Sequence, residues 1–429
     1  MKRSSLLALV IAGLLTEGIY LAITLRLPWW TYGGELQRWS ELLGNGWSDL
    51  VACLAGLAVL LAAYALGWGA VRKGGVPRKV IWAFGSLYAI TLFWLLPITA
   101  DLFVYLGRAH LFTDLEGNPL EDTLVSRRDA LLAAYPTAYA RHSSAYGPAW
   151  SLISAPGTLG RHDVAGGLAY LKGLAVAAYA GMAWLLERIL RRIRPGDALQ
   201  GLYLFAWNPL VLVMGVGDGH NDMVMIALVL LAFWLLLETR WLLAFLVLWL
   251  SAWIKYMGAA FIPFFLIYAG ERWEKLGRQT WPLLLGAGLT GLTVTGLVFA
   301  PFRDGGDLEL LALMRRVLIP VNAPHEARDV VAWATAGGLI LLAMAYLWLL
   351  KRLQRSERSY QDVCNVGFVT LLLAFVLGAA RSQPWHLIWP VSLAGLSDRR
   401  WAWPVVIVLS AVMLATQLWV EWGAPGLGG

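Results

Sequence analysis

Charge is what this chain has least of. Asp, Glu, Lys and Arg make up 14% of its 429 residues, against about 25% in soluble domains, which excludes an ordinary solvated surface. Cysteine is nearly absent as well. Cys53 and Cys364 both lie in apolar segments, so no disulfide framework and no cysteine-based metal cluster is available. No P-loop, GxSxG or HExxH pattern occurs, and His142, His162 and His325 lack metal-ligand spacing with one another. The motif-borne readings of nucleotide-triphosphate hydrolase, serine hydrolase and zinc protease therefore have no support. Internal repeats and low-complexity tracts are also missing.

Apolar sequence is abundant instead. Hydrophobic residues reach 59% and the mean hydropathy is +0.63. Apolar runs near or above ~18 residues recur along the whole chain, each long enough to cross a hydrocarbon core of about 30 Å as a helix. Helices are required because unpaired backbone groups are too costly in lipid. The 24 tryptophans suit the membrane–water interface. An all-α, polytopic membrane protein follows.

Apolar spans are expected near 5–25, 50–71, 80–100, 165–187, 199–216, 222–238, 240–254, 257–270, 281–302, 330–350, 362–380, 385–397 and 401–420. Segments 240–254 and 257–270 also fit one long kinked helix, and 385–397 is short enough to be re-entrant. Met1-Lys2-Arg3 before Leu6–Leu15 has the look of a signal peptide, yet no small-x-small site follows and the apolar run resumes after Glu17. A retained first helix is the expectation.

Lys and Arg placement gives the orientation. With the N-terminus inside, 20 of the 34 basic residues fall in short loops or helix ends on one side. They run from Lys2 and Arg3 through Arg72–Lys79, Arg188–Arg194, Arg240 and Arg272–Arg278 to Lys351–Arg358, Arg399 and Arg400. The net charge of +7 is thus explained by topology, without nucleic acid. The longer segments 26–49, 101–164 and 303–329 belong to the opposite, extracytoplasmic side of a cell inner membrane. Loop 101–164 holds Tyr135-Pro136, Tyr139, Tyr146-Gly147-Pro148 and Trp150, too aromatic for disorder. The whole chain, 1–429, reads as one transmembrane domain.

Candidate chemistry gathers on that outer side. Asp101 directly follows the apolar run 80–100, and a continuing helix would put Asp101, Tyr105 and Arg108 on one face. A carboxylate at the membrane boundary can deprotonate a sugar hydroxyl while a lipid-linked donor stays in the bilayer. It can equally be a helix-end Asp that meets solvent. Gly217-Asp218-Gly219-His220-Asn221-Asp222 joins two spans by a tight turn. Glycine permits the turn, but a turn needs neither His220 nor two carboxylates. Lys255-Tyr256 and Arg381, followed by Gln383, Pro384, Trp385 and His386, sit at outer ends against the positive-inside trend. Cations there suit a phosphate at headgroup depth, and snorkelling toward anionic lipid is the plainer alternative. Lys172 and Glu17 lie within spans, where ionisable groups are functional candidates by default and also pair within bundles.

Taken in order, Asp101-x3-Tyr105-x-Gly107-Arg108, Asn118-Pro119, Tyr146-Gly147-Pro148-x-Trp150, Asn208-Pro209-Leu210, Gly219-His220-Asn221-Asp222 and Lys255-Tyr256 form a series. It resembles the GT-C superfamily of polyprenyl-phosphate-sugar glycosyltransferases, and most resembles the bacterial polyprenol-phosphate-mannose-dependent α-1,6-mannosyltransferases. The similarity covers about residues 80 to 390. It implies a GT-C-like bundle of about 13 transmembrane helices with a large extracytoplasmic loop after the third. It implies Asp101 as catalytic base, inversion at the anomeric carbon, a polyprenyl-phosphate sugar donor, a glycan or glycolipid acceptor and no metal or other cofactor. On that basis Arg381, Lys255, His386 and Lys172 are assigned to the donor phosphate. Tyr105, Arg108, Tyr146, His220, Asn221 and Asp222 are assigned to sugar or acceptor. Spans 5–25 and 50–71 precede the first motif, and the loop between Asn118 and Tyr146 is unusually charged; both departures bear on the acceptor. Two other classes remain open on sequence: a transporter or flippase of a lipid-linked sugar, which would commonly carry repeats and midplane polar sites, and a non-catalytic lipid-binding scaffold.

Overall fold

A computed structural model describes residues 3–31, 38–44, 46–126, 141–159, 164–302, 328–378 and 382–423, with the side chains of 328–332 excepted. Helices account for most of the described residues. They are α1 (Arg3–Arg26), α2 (Trp47–Arg72), α3 (Arg78–Phe93), α4 (Asp101–Thr113), α5 (Pro148–Ser154), α6 (Val164–Ile193), α7 (Ala198–Ala206), α8 (Asp222–Leu237), α9 (Trp241–Ile254), α10 (Ile262–Lys275), α11 (Trp281–Phe299), α12 (Arg328–Arg355), α13 (Tyr360–Leu377), α14 (Ile388–Ala394) and α15 (Ala402–Gly423). No strand occurs among the described residues; an isolated antiparallel bridge joins Pro28 to Leu95.

The expected thirteen crossings are not all present as full-length helices. Among the described residues, seven helices are long and apolar enough to span, and eight if the bent pair Pro195–Ala206 and Val211–Gly217, inclined at 58°, is one span. The apolar helices α8 and α9 are shorter, at 16 and 14 residues. Segment 80–100 stops being helical at Phe93, because Pro97 cannot supply a helical N–H and the residues around it are recruited to the site described below. Segment 240–270 is not one helix. Lys255 is extended, at φ −152° and ψ 123°, and a tight turn, Tyr256–Phe261, precedes α10. Segment 385–397 contains only the turn Pro384–Leu387 and the seven-residue α14. Loop 101–164 is not irregular throughout, since it opens with α4 and includes α5. Loop 303–329 lies almost wholly outside the described residues.

Core and periphery follow what each helix face meets. α1 packs on α2 and α3, α8 on α6 and α9, α9 on α11, and α13 on α12 and α14. α8 sits in the middle, with Met223, Ile226, Val229, Leu230 and Phe233 fully buried. The outer faces of α1, α11 and α12 expose Leu7, Leu292, Leu297 and Trp333, as lipid-facing surfaces should. Tryptophan does more than line the interface: Trp207 and Trp389 are buried in the bundle.

The bundle has two chemically different ends. At one, Arg78 and Arg191 meet Glu187 at 2.6 and 2.8 Å, Arg192 meets Glu238 at 2.6 Å, and Arg358 meets Glu271 at 2.7 Å. These are residues placed on one side by the sequence. At the other end lie Asp101, His220, Asp222 and Lys255. On α6, Lys172 and Arg191 are nineteen residues apart, or ~29 Å at 1.5 Å per residue, about one hydrocarbon thickness.

Candidate active site

Three breaks in helical regularity converge to build this end. The first is Trp94–Ala100, the unwound link into α4. The second is the link between α7 and α8, where a π-helix, Val211–Gly217, runs into Asp218-Gly219-His220-Asn221. The third is the turn Pro384–Leu387 before α14. π-Helical insertions are frequent at functional sites, and unwound backbone at membrane depth persists only where protein buries it or a cavity adjoins it.

Short motifs hold these breaks in place. Asn208 accepts hydrogen bonds from the Leu210 and Val211 N–H groups at 2.9 and 3.3 Å, capping the π-segment. Its amide donates to Ser410 on α15 at 3.2 Å. Asn118 accepts from Leu120 N–H at 3.1 Å and donates to the Phe302 carbonyl at 3.4 Å, tying the segment after α4 to the end of α11. The Gly147 N–H donates to the Ile254 carbonyl at 3.1 Å, and a Cβ at Gly147 would collide with the Trp253 carbonyl. That close approach requires glycine and seats Tyr146 beside Lys255. Gly219, at φ +72°, makes the turn into His220.

Within this frame His220 is fully buried between two carboxylates. Its Nδ1 lies 3.3 Å from Asp101 Oδ2 and its Nε2 lies 3.3 Å from Asp218 Oδ2. The Trp385 ring stacks on it at 4.1 Å. Burial alone would lower the imidazole's proton affinity, but hydrogen bonds and charge from Asp101 and Asp218 outweigh it and raise the pKa to about 9. His220 is therefore a cation at neutral pH. Asp218 also accepts from the Ile98 N–H. Lys172 donates to the Leu95 carbonyl at 2.7 Å and to the Gly217 carbonyl. The second and first breaks are thus pinned to each other from both sides. Lys172, assigned on sequence to the donor phosphate, is fully buried with its ammonium held by those carbonyls.

Beside this triad stands a second charged group. Lys255 Nζ approaches both oxygens of fully buried Asp222, at 2.8 and 3.0 Å. The Trp389 indole N–H donates to the same carboxylate. The ammonium also lies over the Trp389 and Tyr146 rings, at 5.2 and 5.9 Å, within cation–π range. Burial first, and then the Lys255 charge, hold His386 down to about 3. It is a neutral hydrogen-bonding group at physiological pH, not a cation. Tyr105 and Tyr146 meet edge to face at 5.1 Å, and Arg108 lies over Tyr146 at 5.7 Å. Asn221 is fully buried, and both polar atoms of its amide are without a partner among the described residues. An amide so placed costs about 1–3 kcal/mol unless something bonds it.

The structure thus brings together Asp101, Tyr105, Arg108, Tyr146, His220, Asn221, Asp222, Lys255 and His386. Arg381 lies outside the described residues. Asp218, Trp385 and Trp389 were not picked out as site residues from the sequence. Asp218 sat within the glycine-rich motif and its pairing with His220 could have been suspected. Trp389 had no signal, since one tryptophan among 24 looks like any other. Asp101 begins a new helix after the unwound link, and that helix carries Asp101, Tyr105 and Arg108 at the spacing of one face. Asp101 Oδ1 has no hydrogen-bond partner among the described residues, and the carboxylate's contact with His220 is longer than a tight charge-assisted bond.

The His220 arrangement predicts a pH-dependent stability. In the unfolded chain the imidazole returns to about 6.5, below its folded value of about 9. Its contribution is full below the unfolded value and is lost as pH rises through the folded one. The melting temperature of detergent-solubilised protein should therefore fall between pH 7 and pH 10, and His220→Gln should flatten that decline. Parallel curves for the two proteins would refute the charged triad.

Comparison with known proteins supplies the family. Residues 8–271 match the family described as alpha-(1→6)-mannopyranosyltransferase, N-terminal domain. The chain is 24% identical over 406 residues to alpha-(1→6)-mannopyranosyltransferase A of Mycobacterium tuberculosis (strain ATCC 25618 / H37Rv), an alignment covering 86% of this chain and 73% of the relative. The match takes in Asp101, the Gly219–Asp222 turn and Lys255, and it exceeds half of the sequence: the chain belongs to the alpha-(1→6)-mannopyranosyltransferase family.

Proposed function

We propose that this protein is an inverting α-1,6-mannosyltransferase that moves mannose from a polyprenyl-phosphate donor to a glycan or glycolipid acceptor on the extracytoplasmic face of the inner membrane. The observation that carries the reading is Asp101, a carboxylate at a helix start beside the buried His220, with one oxygen unclaimed, at the end of the bundle opposite its basic cluster. Asp101 Oδ1 takes the proton of the acceptor's hydroxyl as that oxygen attacks the anomeric carbon. The bond from that carbon to the phosphate oxygen breaks, and the phosphate departs with the electron pair. Displacement from the opposite face inverts the centre, so an α product requires a β-linked donor. Lys255, with its partner Asp222, meets the charge growing on the phosphate, and His386 serves as a neutral donor. Electrostatic stabilisation of developing charge is commonly the largest catalytic term. The protein's own cations fill that role in this mechanism, so no metal is invoked. Tyr105, Arg108, Tyr146 and Asn221 face the sugars.

An apolar cavity of about 310 Å³ supports a lipid-linked donor. It is lined by Tyr20, Leu57, Leu60, Leu95, Ile98 and Met214 among others. Leu95 and Ile98 are the residues whose backbone Lys172 and Asp218 grip, so one face of that segment adjoins the cavity and the other belongs to the site. The polyprenyl tail lies along that cavity. A flippase or a scaffold has no need of a base, an aromatic-walled cation and an unfilled amide at one membrane face.

The test is transfer of labelled mannose from polyprenyl-phosphate-mannose to short α-mannosides by purified protein. The expected product carries a new α-(1→6) linkage, forms from a β-linked donor only, and accumulates equally in the presence of EDTA. Failure to transfer from mannosyl, glucosyl and arabinosyl donors alike would return the flippase and scaffold readings to the front.

A further inference from the structure

At the basic end of the bundle, remote from the proposed transfer site, a second cavity of about 610 Å³ opens between α3, α6 and α8. Its wall presents the guanidinium groups of Arg78, Arg188, Arg191 and Arg192 against a single carboxylate, Glu187. That carboxylate is spent within the protein. Glu187 is buried and takes Arg78 at 2.6 Å, Arg191 at 2.8 Å and the Trp82 indole N–H at 2.9 Å. It acts as a strut that holds two arginines from different helices side by side, and both remain about half exposed. Arg192 is paired with Glu238. Arg188 makes no ion pair among the described residues, and its guanidinium lies over the Trp184 ring at 5.1 Å.

Two features argue for a ligand over a merely solvated basic surface. Arg78 stands in the first turn of α3, which has no acidic residue, although helix dipoles disfavour a cation there. The cavity's remaining wall is aromatic, formed by half-exposed Trp184 and by Trp234, the residue type that settles at headgroup depth. Forked guanidiniums beside indole rings at the ends of apolar helices fit a phosphate diester that enters from the bilayer.

We propose that this cavity is a binding site for the headgroup of an anionic phospholipid, with its phosphate among Arg78, Arg188 and Arg191 and its glycerol against Trp184. The site is independent of sugar transfer, so its test reads binding alone. Full-length protein in detergent is titrated with phosphatidylglycerol or phosphatidylcholine and bound lipid is counted by native mass spectrometry. Phosphatidylglycerol should bind at least roughly fivefold tighter than phosphatidylcholine, and Arg188→Gln should remove about that factor, the usual contribution of one surface arginine to an anionic lipid. Arg188 has no ion pair among the described residues, so its loss should leave the melting temperature unchanged, and Arg240→Gln at the same end but outside the cavity should leave binding unchanged. Equal retention of the two lipids, or an Arg188→Gln protein that binds as wild type does, would overturn the proposal. Displacement of phosphatidylglycerol by millimolar inorganic phosphate would overturn it too, by making this a site for free anions.

Discussion

Asp101→Asn should lower kcat for mannosyl transfer by ~10²–10⁴-fold, the range supplied by a positioned general base, while the donor's KM changes little. The carboxamide keeps the volume and the start of α4 but cannot take a proton. A loss confined to kcat is the signature of an interaction made in the transition state. Its structural side effect is separable. Removing the charge beside His220 leaves only Asp218 to hold the imidazolium, so the alkaline decline in stability should move to lower pH. Asp101→Glu should recover part of the rate if the lengthened carboxylate still reaches the hydroxyl. A folded Asp101→Asn protein with near-normal turnover would rule Asp101 out as the base.

Asp222→Ala should be the most destabilising single change at the site. Asp222 is fully buried, and it is the one carboxylate within ion-pair distance of Lys255 among the described residues. Removing one partner of a buried pair costs about 3–5 kcal/mol, and the Trp389 indole would lose its acceptor as well. The lower part of that range is expected, because Lys255 keeps some exposure and can turn toward water. Asp222→Ala/Lys255→Met should regain most of the lost stability, since replacing a whole ion pair by apolar groups is often neutral. It should not regain transfer, because the ammonium proposed to meet the phosphate is gone. Melting temperature and single-turnover rate, measured on both variants, separate the two roles. Recovery of transfer in the double variant would show that Lys255 serves only to neutralise Asp222.

Much of the site was legible because its parts are short-range. Asp101-x3-Tyr105-x2-Arg108 lies within two helical turns, so periodicity alone places the three side chains on one face. The Gly217–Asp222 turn is read from glycine chemistry and from the surplus of polar groups it carries. Pairings between distant segments were not legible. Trp389 and Asp222 are 167 positions apart, and only the seating of α14 against α8 makes the indole a ligand of the carboxylate. The contacts of Lys172 were hidden for the same reason. A lysine within a span marks a charge that must be satisfied, but composition does not say whether a phosphate or two backbone carbonyls satisfy it.

The sequence by itself determined that the chain is helical and membrane-embedded, which residues crowd the basic end, and that the polar motifs keep to the other. Hydrophobic run length and the cost of burying charge act locally, so composition carries them. Only the tertiary structure decided which apolar runs are whole helices. Unwinding at Trp94–Ala100, bending after α7 and the break at Lys255 are tolerated because side chains far away in sequence bond the freed backbone: Lys172 at Leu95 and Gly217, Asp218 at Ile98, Gly147 at Ile254. A hydropathy window counts apolar residues and sees none of those bonds. The same bonds shape the candidate site, so helix breaks and site geometry have one physical origin.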